Sequence, residues 1–170
     1  DKAFPDYPFK LSDFQKHSVD ALENNHNVLV SAPTASGKTL VAEHIIKKNS
    51  KLNSDKKHQV IYTTPVKALS NFLYNDFVHK FPDISFGIMT GDIKFNPEAD
   101  CVIMTTEILR NTLFTKKINE TNANTETDEK KVPIELQFEL DINTELGAVV
   151  FDEVHYIGDK DRGSVWEQSI

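Results

Sequence analysis

The 170-residue chain is expected to fold as an α/β domain, a mostly parallel sheet with helices on both faces. Three observations lead there. Short apolar, β-rich runs alternate with longer segments of helical periodicity, the pattern of a sheet buried on both sides. An early run enters the turn Ser31-Ala32-Pro33-Thr34-Ala35-Ser36-Gly37-Lys38-Thr39 and a helical pattern leaves it. A late run ends in two adjacent carboxylates, Asp152 and Glu153.

Strands are expected at 28–31, 60–64, 86–90, 101–105 and 148–151, and helices at 12–23, 39–48, 67–81 and 106–116. Ser12 stands before Phe14, Val19 and Leu22 as an N-cap. From Thr115 to Lys131 the sequence TKKINETNANTETDEKK is too poor in apolar side chains to pack, and it reads as a mobile surface insertion. Val132, Ile134, Leu136, Phe138, Leu140 and Ile142 then alternate with polar residues and Pro133, as in a half-buried edge strand. No internal repeat is visible.

The balance of 19 basic and 26 acidic residues leaves a net charge of −7, so any contact with nucleic acid must be local. Cys101 is the single cysteine, which fits a reducing, intracellular compartment and removes the disulfide-built scaffolds. No apolar run approaches the roughly 20 residues of a membrane span. The opening DKAFPDYPF lacks the basic and apolar regions of a secretory signal. It also lacks Met, so the chain is expected to be a piece of a longer protein, cut shortly after the acidic pair.

The turn at 31–39 has the order that phosphate binding requires. A loop, Pro33, Thr34, Ala35 and Ser36, curls at the carboxyl end of a strand, and its N–H groups, which Pro33 lacks, together with the following helix N-terminus face the anion. Gly37 permits close backbone approach, Lys38 supplies a cation for the β- and γ-phosphates, and Thr39 a hydroxyl for Mg²⁺. Ala32 stands where the pattern GxxxxGK[ST] begins with Gly, and it fits if its φ is negative. The loop alone implies a nucleoside triphosphate. Asp152, at the end of AVVF, can hold Mg²⁺ through water while Glu153 positions and deprotonates the attacking water. An isolated Asp-Glu pair is more often a solvated loop; in company with the phosphate loop it describes a nucleotide hydrolase core.

The motifs FKLSDFQ, APTASGKT, PVKALSN, TTEILR and DEVH together resemble the superfamily two helicases, specifically DExH-box RNA helicases of the Ski-complex and exosome-associated type. The likeness runs from Phe9 to Trp166 except around 115–146, which looks like an insertion. It implies the first of two RecA-like domains, using ATP and Mg²⁺. It further implies that Phe9 stacks on adenine, that Gln15 hydrogen-bonds the adenine edge, and that His155 couples hydrolysis to the partner domain. Pro65 and Lys67, Gly91 and Asp92, and Thr105, Thr106, Glu107 and Arg110 would grip a single-stranded RNA backbone. Hydroxyls, a lysine and helix N-termini at successive strand ends suit phosphate contacts, although Thr and Glu there also serve ordinary helix capping. Such contacts read phosphate and sugar, so binding is expected to be independent of sequence.

The resemblance also places the transition-state arginines in the second RecA-like domain. Only Arg110 and Arg162 occur here, so the isolated chain is expected to hydrolyse ATP poorly. A repair-type DNA helicase and a non-motor nucleotide-binding scaffold are the other readings, and an RNA-decay complex is the expected setting. The insertion could be a spacer or a partner-docking segment.

Overall fold

The computed structural model describes residues 7–50, 58–121, 144–160 and 163–170, the stretch 114–121 as backbone only. The polar tract beyond Thr121 and the alternating segment 132–142 lie outside the described residues, as do Asp161 and Arg162. Two units are present, Asp1–Lys48 and Asn49–Ile170.

In the first unit, α1 spans Asp13–Glu23 with Ser12 at its N-cap, as its sequence predicts. The Gln15 side chain reaches back one turn and accepts the Ser12 N–H at 2.9 Å, satisfying a donor that the helix start leaves unpaired. Helix α2 spans Thr39–Asn49. Leu11, Val19 and Leu40 form a small buried cluster with Tyr7 packed against it. The Tyr7 hydroxyl lies 2.9 Å from His44 Nδ1, and His44 Nε2 lies 2.7 Å from Glu23 Oε1, tying the segment before α1 to both helices. The expected strand at 28–31 is absent: these residues carry no ladder, and Leu29 is 84% exposed. A β-rich run becomes a strand only where a neighbour supplies ladder hydrogen bonds, and the described part of this unit holds no other strand.

Among the described residues, the second unit is built on a five-stranded sheet of order β3-β2-β4-β1-β5. Strands β1 (Gln59–Thr64), β2 (Phe86–Met89), β4 (Cys101–Thr105) and β5 (Leu146–Phe151) match four of the predicted runs. They are mutually parallel: β1 pairs with both β4 and β5, and β4 with β2. The two-residue β3 (Lys94–Phe95) adds an antiparallel edge that its short, exposed sequence does not announce. Parallel pairing explains the composition of β1 and β4, whose residues are all buried and nearly all apolar or β-branched.

Alternation along each strand assigns the two faces. On one, Tyr62 and Phe86 meet Phe77 of α3 (Lys67–Lys80) at ring separations of 5.7 and 5.8 Å. On the other, Ile61, Met89, Val102 and Met104 pack with Ile108 and Leu109 of α4 (Thr106–Thr121). The expected covering of both faces by helices is therefore met within this unit. Helix α4 (Thr106–Thr121) runs past the predicted end at 116 and enters the polar tract. A short α5 (Gly163–Ser169) follows, with Trp166 buried and its ring 6.0 Å from Phe151. No helix among the described residues is long and apolar enough to cross a membrane.

Cys101 is fully buried at the start of β4, and burial, aided by the Asp100 charge, pushes its thiol pKa far up. The folded state thus favours the neutral thiol. This contribution is intact below the unfolded value of about 8.5 and is lost as pH rises beyond it. Cys101 should resist alkylation at pH 8 until the protein unfolds. Labelling at the rate of an exposed thiol in native buffer would contradict this.

Candidate functional site

The phosphate loop lies in the first unit. Ala35 and Gly37 both adopt positive φ, 61° and 85°, and this pair of left-handed residues curls the chain around Ser36. Ala32 is not among the positive-φ residues, so the Gly-to-Ala departure costs the loop no strain. Lys38 folds back over the loop, donating to the carbonyls of Ala32 and Pro33, both at 2.8 Å. An ammonium has three donors, which leaves one for an anion here. Ser36 Oγ is buried with no hydrogen-bond partner among the described residues. An orphaned hydroxyl in a curled loop whose lysine is held close by is what a phosphate group would complete. Pro33, Thr34, Ala35, Gly37 and Thr39 are exposed, the last as the first residue of α2.

Gln15 is buried against this loop. While its oxygen holds the Ser12 amide, its Nε2 donates to the Gly37 carbonyl at 3.1 Å. The side chain therefore links the start of α1 to the loop's conformation. Phe9 is 55% exposed, 6.0 Å from the Tyr7 ring.

In the second unit, the parallel strands carry four predicted motifs to one edge of the sheet. Thr64-Pro65 follows β1, Thr90-Gly91-Asp92 follows β2, Thr105-Thr106 closes β4, and Asp152-Glu153 follows β5. Thr106 donates to the Thr64 carbonyl at 3.2 Å, and Thr64 and Ser70 hydroxyls lie 2.7 Å apart, so the edge is internally tied. Pro65, Thr105 and Thr106 are buried and shape this edge from beneath. Lys67, Gly91 and Asp92 are exposed upon it. The Lys67 ammonium forms an ion pair with Asp92, and it crosses Gly91 so closely that an added Cβ would lie 3.3 Å from it. Glu107 and Arg110 are half-exposed on α4, with the Arg110 guanidinium donating to Asn111 Oδ1 at 3.0 and 3.3 Å.

The acidic pair is held by backbone as much as by side chains. The Asp152 N–H donates to the Thr63 carbonyl at 3.0 Å, extending the ladder one residue past β5. Glu153 then takes φ 56° and ψ 42°, a left-handed conformation that costs a non-glycine residue on the order of 1–2 kcal/mol. This reversal ends the strand, starts the 3₁₀ turn at Val154–Gly158, and lets two sequence neighbours serve different positions. Asp152 Oδ1 accepts the Glu153 N–H at 2.9 Å, and Glu153 Oε2 lies 3.1 Å from His155 Nδ1. The residue missed from sequence is Tyr62, whose hydroxyl donates to Asp152 Oδ2 at 2.9 Å. A lone phenol inside the aliphatic run QVIYTT was the available signal, since a buried hydroxyl needs a partner.

The sequence that builds these elements matches a known family. The DEAD/DEAH box helicase family matches over residues 12–170. The chain belongs to that family. It is similar to "mRNA transport homolog 4" of Caenorhabditis elegans, 43% identical over 96% of the chain, and to "Exosome RNA helicase MTR4" of Homo sapiens, 40% identical over 99%. It is also 42% identical over 96% of its length to "Antiviral helicase SKI2" of Saccharomyces cerevisiae. The chain spans 11–13% of the length of these relatives.

The loop geometry of this helicase domain makes Gly37 hard to replace. In Gly37→Ala a methyl would sit 2.6 Å from Gln15 Nε2 on a left-handed backbone. The variant should lose about 1–3 kcal/mol of stability and bind nucleotide more weakly, by thermal melting and titration with a fluorescent ATP analogue. Wild-type behaviour in both would contradict the packing described.

Proposed function

We propose that this chain is the ATP-binding domain of an ATP-dependent RNA helicase, the first of two RecA-like domains that together move along and separate RNA strands. The observation that carries the reading is the shared carboxyl edge, with the motifs of four parallel strands beside one another, in a chain of this family. The similar proteins named as RNA helicases favour RNA as the substrate. An RNA-decay or processing assembly is the setting we infer, and the reduced, buried Cys101 fits an intracellular compartment.

Each residue has a role under this reading. The loop amides and Lys38 hold the β- and γ-phosphates of ATP, with Phe9 and Gln15 at the adenine. Thr39 and Asp152 hold Mg²⁺, which when bound offsets charge on the phosphoryl oxygens. Glu153 orients the attacking water and takes its proton. His155, which touches Glu153, couples that carboxylate to the second RecA-like domain under this reading. Pro65, Lys67, Gly91, Asp92, Thr105, Thr106, Glu107 and Arg110 form the edge along which the RNA backbone lies. Pro65, Thr105 and Thr106 act by shaping it, and the exposed Lys67 by contact. The arginines that stabilise the transferred phosphoryl, a contribution worth about 10³–10⁵ in rate, belong under this reading to the second RecA-like domain.

The test is steady-state ATP hydrolysis by the full-length protein alone, with single-stranded RNA, and with single-stranded DNA of equal length. RNA should stimulate most, and Glu153→Gln should lower the stimulated rate by at least about 10²-fold. Equal or greater stimulation by DNA would replace this reading with a repair-type helicase. Normal ATP binding without stimulation would leave a nucleotide-binding scaffold.

A further inference from the structure

Asp152 is fixed from two sides. Its Oδ1 accepts the Glu153 N–H at 2.9 Å and its Oδ2 the Tyr62 hydroxyl at 2.9 Å. The first donor is backbone and is available to any residue at 153. The second comes from a side chain on the neighbouring strand, 90 residues earlier in sequence, and only tyrosine supplies it.

The placement follows from the register. Tyr62 of β1 pairs with Val150 of β5. With a side-chain period of two, Tyr62, Val150 and Asp152 face the same way. The phenol therefore extends along that face toward the carboxyl edge and meets the carboxylate one pleat beyond its own pairing partner. Its ring is 1% exposed and meets Phe77 edge-on at 5.7 Å, which fixes where the hydroxyl sits. Packing alone would be met equally by phenylalanine, the same ring without the donor. Asp152 is half-exposed, so water can replace a lost donor at little cost in stability, but not in orientation.

We propose that Tyr62 is a positioning residue for Asp152, its hydroxyl setting the rotation of the carboxylate so that the remaining lone pairs are presented to the nucleotide-bound Mg²⁺. This rests on the metal-holding role given to Asp152 above. A donor behind a metal-facing carboxylate acts on metal affinity through orientation, and its loss typically weakens affinity or activity by about 10–100-fold.

The experiment uses the full-length protein as wild type, Tyr62→Phe, Asp152→Asn and the double variant. Melting is recorded for each, along with Mn²⁺ affinity of the complex with a non-hydrolysable ATP analogue, by electron paramagnetic resonance. The Mg²⁺ dependence of RNA-stimulated hydrolysis is measured for wild type and Tyr62→Phe. Tyr62→Phe should melt close to wild type, bind Mn²⁺ roughly tenfold more weakly and need correspondingly more Mg²⁺ for half-maximal rate. Adding it to Asp152→Asn should weaken Mn²⁺ binding no further. Wild-type Mn²⁺ affinity in Tyr62→Phe, with Asp152→Asn impaired, overturns the inference and leaves the metal role of Asp152 standing. Wild-type affinity in Asp152→Asn overturns that role and the inference with it. If Tyr62→Phe melts lower, the double variant decides: a loss acting through Asp152 disappears there, and one that persists is structural and overturns the proposal.

Discussion

Parallel pairing of β1 with β4 and β5, and of β4 with β2, brings the carboxyl ends of four strands to a single edge, and the chemistry assigned to the second unit depends on that alignment. Antiparallel neighbours would send alternate motifs to opposite edges. The cost of parallel pairing is burial of both faces, and the sequence meets it with aliphatic runs that leave no room for charge inside a strand. At the carboxyl edge charge returns where three of the strands stop, at Asp92 after β2, Glu107 after β4 and Asp152 with Glu153 after β5. The site is thus a consequence of how the sheet must end.

The strand ends are not loose. Thr106 binds the Thr64 carbonyl, Asp152 continues the ladder onto Thr63, and Glu153 accepts a left-handed backbone to leave it. Strain of this kind persists where surrounding structure over-determines it, and here it sits on the residue assigned to activate water. In the first unit the same economy appears in Gln15, whose two amide atoms serve a helix cap and the Gly37 carbonyl at once.

Much of this was legible because period and spacing are properties of the local sequence. The aliphatic runs marked four strands, and GKT after a turn marked the loop. The run at 28–31 misled because its β-rich composition says nothing about whether a neighbour will pair with it. Strand β3 was invisible because two exposed residues carry no period, and α4 outran its expected end because a polar tract that cannot pack can still continue a helix already begun. Left-handed φ at Ala35 and Glu153 has no signature in residue type, which would have favoured glycine. The contact of Tyr62 with Asp152 depends on register between strands far apart in sequence, and register appears only once the sheet exists. Thr105 and Thr106 matched a nucleic-acid motif, yet lie buried, because a motif records which residues occur together and not which of them reach the surface.

The central claim is that this edge holds a single strand through its phosphates. Lys67 is an exposed cation of that edge, and the ammonium that pairs with Asp92 has further donors for a phosphate. The direct measurement is the affinity of the full-length protein for labelled single-stranded RNAs of unrelated sequence across a series of salt concentrations, beside Lys67→Ala. The account predicts similar affinities for all the RNAs, a uniform loss in the variant, and a fall of about 0.7 in the slope of log affinity against log salt. An unchanged slope, or a loss confined to particular sequences, would contradict it.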